Sequence, residues 1–335
     1  MPTKPPTVVI AVSSEESQRP DVIDALRCVQ SVKAALRKKG YTAHILPIAK
    51  RDLKASHFLV RQIRNFHPIC VFNLFEGFSD APEKEIEFVQ ILESAQIPLT
   101  GNGSQAVRIC LNKFETKRLL QKANIPIPRG IGITQTYEIA QVSLDYPLFV
   151  KPALEDASLG IDEDSLLPDP SYLSRTIERK LREFPSGLIV EEFIPGAEYN
   201  VGLLAEYPYE IVGVSVIDYY HYNDFLPFLS YRAKWEHRTD EYKAIIPGIN
   251  PVLPSKLRKQ IEDLARRAGE CLMCQGYFRV DIREKDSRLF VLDVNPNPDI
   301  NVDSGFMRQA YALGYKYEDI IERIVKFAVG QKTHV

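Results

Sequence analysis

Two segments near the C-terminus carry residues able to bind a divalent cation and to steady an anion: Tyr277-Phe-Arg-Val-Asp-Ile-Arg-Glu-Lys285 and Leu289-Phe-Val-Leu-Asp-Val-Asn295. Side chains on a strand alternate between faces. Arg279 and Asp281 therefore share one face of the first strand, and Asp293 and Asn295 one face of the second; Val280, Ile282, Leu292 and Val294 point the other way. A three-residue turn, Asp286-Ser287-Arg288, sets Asp281 against Asp293 and Arg279 against Asn295. Like charges directly opposed destabilise a strand pair. A divalent cation removes the conflict, and Asp and Asn oxygens suit Mg²⁺, which is usually held by one or two carboxylates plus substrate phosphates. The alternative is a solvated hairpin face whose arginine neutralises both acids. A two-residue turn would shift the register and separate the two carboxylates.

The elements that must position this hairpin follow from periodicity. An apolar β-branched run at 7–12 predicts a buried strand. Ile23, Leu26, Val29, Val32 and Leu36 recur at helical spacing, and Arg37-Lys-Lys39 before Gly40 reads as a helix C-terminus. Strands at 42–48, 69–74 and 97–100 alternate with helices at 52–65 and 83–95. That alternation predicts an α/β domain with a doubly wound parallel sheet over residues 1–103. A helix over 112–123 and a strand at 147–151 belong to a second unit, 104–186, in which Pro126, Pro128 and Gly130 mark a break. Consecutive strands at 187–193, 197–205 and 210–217, the hairpin and a closing helix predict an α+β unit with mainly antiparallel strands over 187–335.

The chain of 335 residues has room for two or three domains. Its 42 Lys and Arg nearly cancel 44 Asp and Glu, which leaves no electrostatic case for nucleic acid or an anionic membrane. No apolar run approaches the roughly 20 residues that cross a bilayer. The short apolar run at the N-terminus does not resemble a signal peptide, so a cytoplasmic location is expected. Five scattered cysteines read as reduced thiols. Cys271 and Cys274 form a CxxC pair, but they follow the helical pattern of Leu264, Ala265, Ala268 and Leu272 and are expected to be core residues, not zinc ligands.

Arg279-Val-Asp281 followed by Leu292-Asp293-Val294-Asn295-Pro296 resembles the ATP-grasp superfamily and, within it, the D-alanine–D-alanine ligase-like enzymes. The likeness runs from about Val71 to Val325. It implies that the second and third units form a two-lobed ATP-grasp fold. It also implies ATP as co-substrate, two Mg²⁺ ions (Mn²⁺ the substitute), small amino-acid or carboxylate substrates and a homodimer. Asp281, Asp293 and Asn295 fall on the family's metal ligands, although the second acid is more often Glu, and Arg279 falls on the residue that steadies the tetrahedral intermediate. Lys113 and Lys151 match the phosphate-binding lysines. The backbone at Phe193 and Ile194 matches the hinge that reads adenine, with Glu191 accepting from the amino group and Glu198 on the ribose. Lys234 matches the lysine of the loop that closes over the phosphates, and Trp235 stands where Tyr is frequent. Ser304 matches a serine on the substrate carboxylate. On spacing alone Lys113 also reads as a surface lysine, and Trp235 as a simple loop anchor.

The sequence departs from that pattern where phosphate and substrate are expected. The phosphate loop, Ala153-Leu-Glu-Asp-Ala-Ser-Leu-Gly160, keeps Ser158, placed with Arg279 among the catalytic residues, and Gly160, but carries Glu155 and Asp156. Glu15 and Glu16 lie in an N-terminal loop without Gly; Glu76 replaces a His, and Asp299 stands where Gly is expected. Glu15, Glu76, Asp299 and Ser304 are the expected substrate contacts. The resemblance thus implies a carboxylate–amine ligase working through an acylphosphate, with D-alanyl-D-alanine the leading product and another amino-acid or dipeptide product the alternative. A non-catalytic ATP-binding regulatory module is the reading from a different class.

Overall fold

The computed structural model describes residues 5–15, 19–205, 208–219, 226–236 and 238–330. Glu16 lies outside them. The first unit begins with β1 (Thr7–Ser13), α1 (Pro20–Lys38), β2 (Thr42–Ile48), α2 (Lys50–Lys54), α3 (Ser56–Asn65), β3 (Cys70–Leu74) and α4 (Lys84–Ser94). The strands form a parallel sheet in the order β2-β1-β3, and Leu99 adds a parallel bridge beside Val71. One face packs Val8, Ile10 and Phe72 against Val29, Val32 and Leu36 of α1; the other packs Val9, Val71 and Phe75 against Leu59, Ile63, Phe88 and Leu92. Both faces are covered, as parallel sheets require. The expected helix over 52–65 is two helices, because Ala55 leaves helical geometry at φ −107° and ψ 48°.

Next come α5 (Ser104–Leu111), α6 (Lys113–Lys122), β4 (Gly130–Ile133), β5 (Leu148–Pro152), β6 (Leu166–Leu167), α7 (Leu173–Glu183) and β7 (Leu188–Glu192). The four strands form an antiparallel sheet in the order β4-β7-β5-β6. The expected boundary between 186 and 187 therefore moves. Strand β7 pairs with β4 and β5 inside the central sheet. Helices α5 and α6 shift the other way: Ile109, Cys110 and Leu120 are buried with Val201, Leu203 and Val280 of the third unit.

The rest of the chain comprises β8 (Glu198–Ala205), β9 (Glu210–Ile217), α8 (Tyr231–Trp235), α9 (Asp240–Ala244), β10 (Gly248–Ile249), α10 (Ser255–Cys271), β11 (Gly276–Lys285), β12 (Arg288–Asn295), α11 (Gly305–Ala312) and α12 (Tyr317–Gly330). An antiparallel sheet runs β10-β9-β8-β11-β12. Helix α10 covers one face through Ile261, Leu264 and Ala268. Helices α11 and α12 bury Met307, Ile320 and Ile324 in a core shared with α1 and β1, which ties the last unit to the first. All five cysteines are free thiols, and Cys274 is buried just beyond α10. Among the described residues no helix is long and apolar enough to cross a membrane.

The β11–β12 hairpin corrects one expectation and keeps its consequence. The turn has two residues, Asp286 and Ser287, with φ of 51° and 59°, the left-handed pair of a type I′ turn. That turn alone would separate the acids. A bulge restores the register, because Ile282 pairs with Val291 while Asp281 pairs with Asp293, so that Leu292 is the extra residue. Asp281 thus faces Asp293, and Arg279 faces Asn295. Leu292 leaves the core face on which alternation placed it and lines the cleft beside Asp293.

Candidate functional site

A cleft of about 210 Å³ lies between the four-stranded and five-stranded sheets. Its walls contain Lys113, Lys151, Ser158, Glu191, Phe193, Ile194, Glu198, Lys234, Arg279, Asp281, Asp293 and Asn295. These are all twelve residues expected to serve nucleotide, metal or catalysis; the four expected substrate contacts lie elsewhere.

On the floor, Arg279, Asp281 and Arg283 occupy successive positions on one face of β11. Arg279 grips Asp281 with two bonds, Nε to Oδ1 at 2.7 Å and Nη2 to Oδ2 at 2.9 Å. Asn200 of β8, directly across from Asp281, donates to Oδ1 at 2.9 Å. The other acid, Asp293, lies 3.5 Å from the Lys113 ammonium and accepts from the Val294 N–H at 3.0 Å. Burial works against charge on Asp293, but Lys113, Lys151 and Lys117 outweigh it and hold its pKa below the usual carboxylate value.

The lysines come from two elements. The Asn112 side chain caps α6 by accepting from the N–H groups of Phe114 and Glu115. That start places Lys113 in the first turn and Lys117 one turn later on the same face. Lys113 donates to the Glu155 carbonyl at 2.6 Å and to Asp156 at 3.0 Å. Burial disfavours its charge, but Asp156 and Asp293 prevail and raise its pKa. Lys151, on β5, reaches Glu191 at 2.9 Å, and Lys117 reaches the other Glu191 oxygen at 2.5 Å. Both Glu191 oxygens are therefore engaged by lysines, whereas an adenine amino group was expected there. These lysines overcome burial and lower the pKa of Glu191. Burial lowers that of Lys117.

The phosphate loop keeps its shape without a run of glycines. Ala157, Ser158 and Gly160 all have positive φ, at 54°, 64° and 74°. Successive N–H groups in such a loop form a concavity suited to anions. A Cβ on Gly160 would lie 2.6 Å from Phe184 and Pro152, so the position requires glycine. Helix α8 docks on this loop: Trp235 Nε1 donates to the Ala157 carbonyl at 2.8 Å and the Tyr231 N–H to Ile161 at 3.0 Å. Lys234 reaches into the cleft, its pKa lowered by burial and by Arg279. At the far end Phe149, Phe193, Phe228 and Leu292 make an apolar slot. The Phe193 N–H is spent on the Pro147 carbonyl and the Ile194 carbonyl on Arg283.

Asp281, Asp293 and Asn295 form a hard-oxygen donor set suited to Mg²⁺. Among the described residues no group of three or more His, Cys, Asp or Glu could hold a metal. Two carboxylates and one carboxamide thus fit an ion that completes its shell with phosphate oxygens and water. The residues fit, with Lys113 and Arg279 now balancing the two acids.

Glu15 and Glu76 follow β1 and β3, at the C-terminal edge of the parallel sheet where α/β folds bind ligands. The Glu15 carboxylate accepts from the Ser79 N–H and hydroxyl, both at 2.9 Å. Glu76 is exposed. Asp299 accepts from the Asn301 N–H at 2.7 Å, and Ser304 caps α11 by accepting from Met307. The Asp299 carboxylate has solvent access but is ringed by protein. That burial, with Asp24 and Asp303 nearby, raises its pKa to about 6. Three cleft residues were not anticipated, Asn200, Arg283 and Leu292, nor was Lys117, which lies outside the cleft lining and reaches Glu191 from α6. Lys117 lies four residues after Lys113, and Arg283 two after Asp281, spacings that mark a shared face.

Residues 119–326 match the family model described as the D-ala D-ala ligase C-terminus. The D-alanine–D-alanine ligase of Syntrophotalea carbinolica is 30% identical over 305 residues, 90% of each chain. D-alanine–D-alanine ligase B of Chromobacterium violaceum is 28% identical over 298 residues, 88% of this chain and 89% of that protein. The crystal structure of D-alanine–D-alanine ligase from Bacillus anthracis complexed with ATP superposes with a TM-score of 0.75 over 98% of both chains, at 18% identity. A second structure of that enzyme gives 0.76 at 21% identity. These two likenesses concern the fold. The family model spans more than half of the sequence, and with it the cleft floor and the hairpin: the chain belongs to the D-alanine–D-alanine ligase family.

Proposed function

We propose that the protein is an ATP-dependent ligase that joins the carboxylate of one small amino acid to the amine of another, with D-alanyl-D-alanine the leading product. The observation that carries this reading is the convergence of Lys113, Lys151, Lys234 and Arg279 on the opposed pair Asp281 and Asp293 in one cleft. Cations placed where charge develops are what phosphoryl and acyl transfer require, and no side-chain nucleophile is needed.

In this reading the triphosphate lies along Lys113, Lys151 and the 153–160 loop, and its terminal oxygens displace Asp156 from Lys113. The base enters the slot of Phe149, Phe193, Phe228 and Leu292, and Glu198 accepts from the ribose. Asp281, Asp293 and Asn295 hold Mg²⁺, which when bound neutralises phosphate charge and polarises the transferred group. The first substrate's carboxylate takes the γ-phosphoryl group of ATP with ADP as the leaving group; the second substrate's amine then attacks the acylphosphate, loses a proton and expels inorganic phosphate as the amide forms. Arg279 spends Nε and Nη2 on Asp281, which leaves Nη1 to meet the oxyanion of the tetrahedral intermediate. Lys234 and Trp235 close the cleft against water. Glu15, Glu76, Asp299 and Ser304 are assigned to the substrates.

The test is phosphate release from Mg·ATP in the presence of a panel of D- and L-amino acids, with products identified by mass spectrometry. D-Alanine is expected to stimulate release and yield a dipeptide. If no amino acid or small acid does so, the ligase reading fails.

A further inference from the structure

Arg283 is among the largest fully enclosed side chains of the protein, with 2% of its side chain exposed, and it lines the nucleotide cleft. A buried guanidinium is costly unless its donors are satisfied. Each of its three nitrogens has a different partner. Nε donates to Glu198 Oε2 at 3.1 Å, Nη1 to the Ile194 carbonyl at 2.8 Å and Nη2 to the Pro227 carbonyl at 2.6 Å. The plane also lies against two rings, 5.1 Å from the centre of Phe193 and 4.6 Å from that of Tyr219. One side chain therefore ties together the hinge, the first residue of β8 and the segment that leads into α8.

The consequence falls on Glu198, which pairs with Arg283 directly across β8 and β11. Its Oε2 accepts from Arg283 and from the Tyr219 hydroxyl at 3.2 Å. Among the described residues its Oε1 has one long contact, Asn200 at 3.3 Å. The carboxylate is thus clamped by one oxygen and offers the other to the cleft. Asn200 also donates to Asp281, so a single residue links Glu198 to the opposed acids.

We infer that Arg283 is a specificity-determining positioning residue: by fixing one oxygen of Glu198 it aims the other at ribose hydroxyls, and so sets the preference for ribonucleotide over nucleotides lacking those hydroxyls. The inference rests on the proposed ATP reading of the cleft. It does not require Arg283 to touch the nucleotide. A carboxylate freed from its clamp can turn toward Tyr219 or Asn200 and lose the directed acceptor on which discrimination depends.

Calorimetric binding of ATP and of 2′,3′-dideoxyATP to the full chain tests it, with Arg283→Met, Arg283→Lys and Glu198→Gln. The unsubstituted protein is expected to prefer ATP by at least about tenfold, the value of a hydrogen bond to a charged acceptor. Arg283→Met should weaken ATP about tenfold and the dideoxy nucleotide by less than about threefold, which erases the preference. Arg283→Lys should restore part of it. Glu198→Gln should erase it as well, and serves as the decisive variant if Arg283→Met does not fold. Equal weakening of both nucleotides by Arg283→Met, or an unsubstituted protein that does not discriminate, overturns the inference. Failure of the unsubstituted protein to bind either nucleotide overturns the ATP reading itself, a result distinct from loss of discrimination alone.

Discussion

At the nucleotide end of the cleft, acids and bases alternate in contact. Glu191 lies between Lys117 and Lys151, Lys113 between Asp156 and Asp293, and Asp281 against Arg279 and Asn200. Outside the cleft lining, at the end proposed for the substrates, Asp299 has Asp24 and Asp303 as neighbours and Lys234 as the opposing charge. The first region is pre-arranged: its charges are held before any ligand arrives, and electrostatic catalysis depends on such preorganisation. The second keeps carboxylates close together with less compensation. A region with excess like charge is stabilised by an incoming partner of opposite charge, in the proposed reading the amine of a substrate.

The sharpest way to break this contrast is to remove one acid from the balanced end. Asp293→Ala takes away half of the opposed carboxylate pair and leaves Lys113 to Asp156. Turnover should fall by about 10³-fold or more, several kcal/mol of charge stabilisation. The fold should persist, because Asp293 sits on the cleft face of β12 and not in the apolar core. Phosphate release and circular dichroism check the two halves of the prediction. Near-full activity would sink the metal assignment.

Lys117→Met probes the same end at one remove. Lys117 holds one oxygen of Glu191, and Lys151 holds the other. Breaking one arm leaves a buried carboxylate with a single cation, at a cost of about 2 kcal/mol in folding stability. Lys151 then moves with Glu191, and ATP affinity should drop about tenfold. Chemical denaturation and nucleotide titration read these separately. If stability falls and ATP affinity does not, the triad is purely structural. Trp235→Phe is milder. It deletes the bond from Nε1 to the Ala157 carbonyl, worth about 1 kcal/mol, so KM for ATP should rise about fivefold with the fold intact.

The contrast also tells how much was legible in the sequence. Strands with strict alternation and helices with long apolar periodicity are local patterns, so the parallel sheet, the antiparallel runs and the hairpin could be read directly. Helices α5 and α11 went unread because eight residues carry too little periodicity. The β7 strand was assigned to the wrong sheet because pairing is a non-local property. The hairpin is the instructive case. The turn type was misjudged, and Leu292 with it, yet Asp281 does face Asp293 because a bulge adds the residue that the turn lacks. Alternation cannot foresee a bulge. Within the site, Asp281 stood out by strand alternation and Lys113 by family likeness, whereas Lys117 and Arg283 needed the contacts to become visible: their partners, Glu191 and Glu198, lie in distant segments.

The smallest effect belongs to the substrate end and carries a sign. The Asp299 carboxyl titrates at about 6 in the folded protein, against about 3.9 in an unfolded chain. Between those values the native state holds a proton that the unfolded state has lost. Stability therefore falls as pH rises from about 4 to about 6, and the loss persists above that window. Asp299→Asn removes the charge and with it the penalty. The variant should equal the parent near pH 4 and exceed it at pH 7, by less than about 1 kcal/mol because the carboxylate tip still reaches water. Urea midpoints at the two pH values measure the difference. A bound substrate ammonium beside Asp299 favours the ionised form, so binding near pH 6 should release protons from the parent, and fewer from Asp299→Asn. Calorimetry in buffers of different ionisation enthalpy counts them. Equal release from both proteins would place the amine elsewhere and remove Asp299 from the substrate end.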